Sequence, residues 1–65
     1  MDMTWEEQIK AFRMLASGME FEDIARELFP EAYENAPNLT VELLRGTMHS
    51  WYKKQSPMYL QSLMN

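Results

Sequence analysis

The side chains with the clearest binding chemistry are basic and lie in the last third of the sequence. Arg45, His49 and Lys53 follow one another at four-residue steps, which places them on one face of a helix. Guanidinium and ammonium groups bind phosphate and carboxylate oxygens. Lys53 and Lys54 are equally compatible with a simpler role, as favourable positive charge near a helix C-terminus. For His49 we favour a solvent-facing or hydrogen-bonded structural role over contact with a ligand.

The sequence has few of the residues from which catalytic and metal-binding sites are built. The sequence has no cysteine and one histidine, so neither thiolate nor histidine-rich metal sites are expected. Carboxylates are plentiful, but a general acid needs a pocket that raises its pKa, and these acids fall on the outer faces of predicted helices. We therefore predict no enzymatic activity, no metal and no cofactor.

Charge is distributed unevenly along the 65 residues, whose net charge is −4. Residues 1–37 carry nine acidic and three basic side chains, a net −6, whereas residues 38–65 carry one acidic and three basic side chains, a net +2. Only the surface that docks on a nucleic acid must be positive. The basic last third therefore keeps a nucleic-acid partner open despite the acidic total.

The composition indicates a single small helical domain over residues 1–65. Apolar residues make up 46% and charged residues 25%, which is ordinary for a folded protein. No apolar run approaches the roughly 20 residues that span a membrane. The first residues are acidic and lack the pattern of a signal peptide. We expect a cytoplasmic protein without membrane contact.

Helical periodicity predicts helices over about residues 4–17, 20–29, 40–54 and 57–63. The segment at 29–39 is predicted to be a loop, either throughout or with one helical turn opened by Pro30. Thr4 and Glu7 form a capping-box pattern, and Gly18 suits the left-handed position after a helix. Ser56 and Pro57 resemble a helix start, with proline at the first helical position. The fold class is therefore all-α. Helically spaced aromatic residues are most simply assigned to the core: Trp5, Phe12, Phe21, Trp51 and Tyr52.

Two segments resemble the halves of a helix-turn-helix DNA-binding unit. Residues 16–28, ASGMEFEDIAREL, are similar to the pattern that opens the positioning helix in sigma-factor-like and resolvase-like regulators. Residues 45–54, RGTMHSWYKK, are similar to the Arg-Gly-Thr-Val stretch of recognition helices in the same families. The resemblance implies a three-helix helix-turn-helix-like bundle plus a short C-terminal helix, with a long insertion between the second and third helices.

The resemblance also implies a small regulator of transcription, compact enough to be encoded by a phage or mobile element, whose partner is duplex DNA. Arginine can contact guanine in the major groove, while hydroxyl and ammonium groups suit phosphates. The residues expected to contact DNA are Arg45, Thr47, His49, Ser50, Lys53 and Lys54.

Two further interaction surfaces follow from composition. Seven methionines are more than so small a core can bury, and methionine suits adaptable binding surfaces. The tail is predicted either to fold back over the first helix or to form a homodimer seam, through Met58, Tyr59, Leu60, Leu63 and Met64.

The alternative to DNA binding is an acidic inhibitor or adaptor. It would use residues 1–37 to capture a basic protein, and this acidic surface would resemble nucleic acid in charge.

Overall fold

The computed structural model describes residues 2–64, with side chains over residues 2–54. Four helices follow in order: α1 Trp5–Ala16, α2 Phe21–Leu28, α3 Pro30–Asn35 and α4 Pro37–Met64. The described residues contain no strand, so the all-α prediction is confirmed.

Local hydrogen bonds fix both ends of α1. The Thr4 hydroxyl accepts from the Glu7 amide at 3.1 Å, and the Glu7 carboxylate accepts from the Thr4 amide at 2.9 Å. After Ala16 the chain turns through Gly18 at φ +97°, and the Met19 amide donates to the Met14 carbonyl at 3.1 Å. These are the capping box and the glycine end that the sequence predicts, and they confine the helix to its expected length.

The loop predicted over residues 29–39 is mostly helical. The alternative of a helical turn opened by Pro30 is confirmed, whereas the loop around Pro37 is wrong. Pro30 begins α3 and Pro37 begins α4. Proline lacks an amide hydrogen, which the first helical position does not use, so both prolines start helices instead of separating them. The connection from α2 to α4 is therefore a short helix.

The last two predicted helices, 40–54 and 57–63, are one continuous helix that begins three residues earlier than expected. Thr40, expected near the helix start, is buried one turn inside it and donates its hydroxyl to the Ala32 carbonyl at 2.8 Å. Proline inside a helix removes one backbone hydrogen bond and crowds the preceding turn, which is why the sequence predicts a break before Pro57, whereas α4 continues through this position. The backbone of residues 57–63 continues α4, so the separate tail helix is wrong, while the two roles predicted for this segment, packing over α1 and a homodimer seam, stay predictions. The side chains of Met58, Tyr59, Leu60, Leu63 and Met64 lie outside the described residues.

The core is small and centred on α4, which contacts each of the other three helices. Its fully buried apolar side chains are Ala11, Ile24, Ala25, Leu44 and Met48. None of the five aromatic residues assigned to the core is fully buried, and Trp5 and Tyr52 remain 61% and 49% exposed. Phe12 and Phe21 are half-buried and pack against this core, so the assignment holds for them, whereas it is wrong for the exposed Trp5 and Tyr52.

No helix in the described part of the chain combines the length and the apolar character needed to cross a membrane.

Candidate nucleic-acid interface

One exposed face of α4 carries four of the six residues predicted to contact DNA. Arg45, His49, Ser50 and Lys53 are all exposed. At 100° per residue they fall within an arc of about 140°, opposite the side that buries the core residues of α4. We call these four residues, with Gly46 between them, the α4 outer face.

Gly46 leaves the helix backbone without a covering side chain in the middle of the α4 outer face. A Cβ atom built at this position would have no heavy atom within 4 Å, so internal packing does not require a glycine there. Glycine inside a helix costs about 1 kcal/mol relative to alanine. The fold therefore offers no reason for Gly46, whereas a ligand that approaches the helix backbone would.

The other two predicted contacts are not on this face. Lys54 is exposed but lies beyond the Ser50 edge of the arc, and Thr47 is half-buried. The structure thus brings four of the six residues together and separates two, and contact with DNA stays a prediction for all six.

Arg45 is oriented by two neighbours. Its guanidinium forms a salt bridge with Glu42 at 3.3 Å, and its guanidinium carbon lies 5.2 Å from the centre of the Phe21 ring in α2. Both members of the salt bridge are more than half exposed, and such a pair contributes below about 1 kcal/mol. Arg45 is therefore positioned at the surface and can exchange Glu42 for another anion at little cost.

An acidic cleft of about 550 Å³ lies on one side of Arg45. It is lined by Glu20, Phe21, Glu22, Tyr33, Pro37, Asn38, Val41, Glu42 and Arg45. On its rim Arg26 contacts Glu22 at 3.3 Å and donates to the Tyr33 hydroxyl at 3.3 Å, and that hydroxyl donates to Glu22. The Tyr33 hydrogen bond, followed by the nearby carboxylates, raises the pKa of Arg26, which stays charged at any physiological pH. This network ties α3 to α2.

An apolar groove of about 650 Å³ lies on the other side of Arg45, between α1 and α4. Its lining consists of Ile9, Phe12, Arg13, Leu15, Ala16, Phe21, Arg45, Met48, His49, Trp51 and Tyr52. Trp51 is held between two α1 rings, with its centroid 5.5 Å from that of Trp5 and 4.8 Å from that of Phe12. Helical spacing predicts that the apolar residues of each helix share a face, but the sequence carries no signal that these faces form an open groove.

Among the described residues no three acidic or histidine side chains converge in the way a metal site requires. Comparison of the chain with protein-family models, with curated proteins and with solved structures gives no match. The functional argument therefore rests on the surfaces of the molecule itself.

Proposed function

We propose that this chain is a small DNA-binding regulatory protein of helix-turn-helix type, in which the α4 outer face contacts duplex DNA. The observation that carries the proposal is the arrangement of Arg45, His49, Ser50 and Lys53 around Gly46 on one exposed face of a long helix. A helix fits the major groove of B-DNA, where arginine can contact guanine and the other groups suit phosphates.

The remaining helices suit a supporting role in such an interface. α2 packs against α4 and against α1, so it is fixed beside the helix that would enter the groove. In this arrangement α3 occupies the place of the turn between the two helices of the motif. The acidic residues of α2 and α3 would orient the molecule by repulsion, since only the side that carries Arg45 and Lys53 can approach the phosphates.

The test is fluorescence anisotropy of a labelled duplex at low salt, with three single variants. Arg45→Ala and Lys53→Ala should each weaken binding by about tenfold, because a base or phosphate contact typically contributes about 1–3 kcal/mol. Lys10→Ala removes the same unit of charge from an exposed position on α1 and should leave the affinity nearly unchanged. Binding of the unaltered protein should fall as salt is raised. Absence of duplex binding up to high micromolar protein contradicts the proposal.

A second candidate, an acidic module that captures a basic protein, is supported by the acidic cleft. Glu20, Glu22 and Glu42 line it together, and no salt bridge in the described part of the chain neutralises Glu20 or Glu27. Under this candidate the double variant Glu20→Lys with Glu27→Lys abolishes capture of a basic partner, for which polylysine serves as the probe. Under the DNA-binding proposal the same variant binds duplex DNA as well as the unaltered chain or better.

A further inference from the structure

The apolar groove between α1 and α4 is a second surface, which shares only Arg45 and His49 with the α4 outer face. Its floor is formed by side chains of both helices, and the described residues leave it open to solvent. The floor residues are Ile9, Phe12, Leu15, Met48 and Trp51. Of these, Leu15 is exposed and only Met48 is fully buried. The volume of the groove, about 650 Å³, falls in the range of binding clefts, about 300–1,000 Å³.

Apart from the Tyr52 phenol, the polar side chains around the groove are basic. Arg13 borders it from α1, and Arg45 and His49 border it from α4, whereas no carboxylate belongs to its described lining. Among the described residues Arg45 forms a salt bridge with Glu42, which lies outside the groove, and no salt bridge involves Arg13 or His49. The groove therefore combines an apolar floor with basic groups on both sides, on a chain whose net charge is −4.

We propose that this groove binds an acidic amphipathic helix of a partner protein. Apolar side chains of the partner, spaced at i, i+3 or i+4 and i+7, would occupy the floor, as in other helix-in-groove complexes. Glu or Asp residues flanking that stripe would reach Arg13 on one side and Arg45 or His49 on the other. The α1 part of the lining runs from Ile9 to Ala16, about 10 Å or two helical turns, which matches a stripe of this length.

A second copy of this chain is less complementary as the occupant. The apolar face of α2 is committed to the core through Ile24 and Ala25, and the apolar side of α1 itself lines the groove. The sequence from residue 55 onward contains no charged side chain, so it supplies no Asp or Glu for the basic rim. Charge complementarity therefore favours a partner with its own acidic helix.

The probes are two synthetic 16-residue amphipathic peptides with the same leucine stripe, one flanked by glutamates and the other by lysines. Trp51 reports occupancy, because it lines the groove and Trp5 does not. In the Trp5→Phe variant Trp51 is the only tryptophan. Titration of this variant with the glutamate peptide should give a saturable change in Trp51 emission, with an affinity at least about ten times that for the lysine peptide.

Charge reversal on the α1 side provides the matched variant. Arg13→Glu changes an exposed residue that is not part of the α4 outer face, and it should reduce or invert the preference between the two peptides. Chemical-shift mapping on the unaltered protein gives the same information if Trp5→Phe disturbs the fold. The shifts should concentrate at the groove lining on α1 and α4.

Three results would overturn the inference. The first is equal affinity for the two peptides, and the second is the absence of a saturable response to either peptide. The third is a Trp51 emission that changes with protein concentration alone, accompanied by self-association in analytical ultracentrifugation. The last result would assign the groove to a second copy. The assay contains no nucleic acid, so its outcome is separate from that of the duplex-binding test.

Discussion

At the scale of single residues, a substitution at Gly46 should change stability and DNA binding in opposite directions. An alanine fits at this position, since a Cβ atom would have nothing within 4 Å, and alanine favours the helix by about 1 kcal/mol. We expect Gly46→Ala to raise the free energy of unfolding by about that amount in urea denaturation and to weaken duplex binding, because the methyl group holds DNA away from the helix backbone.

Gly18 provides the contrast for this prediction. Its φ of +97° disfavours any side chain, so Gly18→Ala should lower stability even though it too has open space around it. If Gly46→Ala stabilises the fold and leaves duplex binding unchanged, close approach of DNA at this point is wrong.

Glu42 is the one acidic side chain in residues 38–65, and it holds Arg45 at 3.3 Å. In the DNA-binding proposal Glu42→Gln releases the guanidinium and removes repulsion from the phosphates, so duplex affinity should rise by about threefold, with a smaller gain at high salt. In the acidic-module candidate the same change should weaken capture of polylysine. Anisotropy with each ligand measures both effects, and Glu34→Gln on α3 is the control for loss of one exposed negative charge.

At the scale of helices and turns, the sequence predicts the helix ends that local hydrogen bonds determine. It does not predict how α2, α3 and α4 are arranged, because that depends on tertiary contacts. The ends of α1 depend on Thr4, Glu7 and Gly18, whose hydrogen bonds and backbone angle are local. A proline such as Pro37 fits both a loop and the first position of a helix, so its residue type alone does not decide between them. The α2–α3–α4 arrangement is settled by contacts between helices, such as the Thr40 hydrogen bond to α3.

That bond gives a prediction for the attachment of α3. Thr40 is buried and its hydroxyl donates to the Ala32 carbonyl at 2.8 Å, so Thr40→Val keeps the shape and removes the hydrogen bond. We expect a loss of about 0.5–1.5 kcal/mol of stability in urea denaturation. Thr40→Ser keeps the hydroxyl and serves as the control for side-chain chemistry. A valine variant as stable as the unaltered protein would show that the bond does not hold α3 in place.

At the scale of the whole molecule, the size of the core limits what the fold tolerates. Only five apolar side chains are fully buried among the described residues, and small domains rarely have more than about 3–5 kcal/mol from one core. Leu44→Ala, at a position with no exposure, should cost about 2–5 kcal/mol and leave most of the protein unfolded at 37 °C.

The adjacent leucine is a matched control. Leu43 lies on the same helix and is 42% exposed, so Leu43→Ala should change the thermal midpoint far less. Circular dichroism on heating measures both variants. Equal losses at the two positions would contradict the placement of the core.

The two candidate surfaces differ in how far the sequence could reveal them. The α4 outer face depends on the periodicity of one helix, so the four-residue steps of Arg45, His49 and Lys53 predict it directly. The apolar groove depends on which helix covers which, and the spacing of Phe12 and Trp51 is the same for a covered face and an open one. A pattern of apolar positions identifies a face but not its neighbour.

Arg45 belongs to the α4 outer face and also lines both the apolar groove and the acidic cleft. A single guanidinium cannot serve a phosphate and a peptide carboxylate fully at once, so the two proposed ligands are thermodynamically linked. The factor by which a bound peptide lowers the affinity for DNA must equal the factor by which DNA lowers the affinity for the peptide. With both ligands as proposed, the chain would be a competitive switch: a partner that presents an acidic helix would release the DNA, and the DNA would expel the partner.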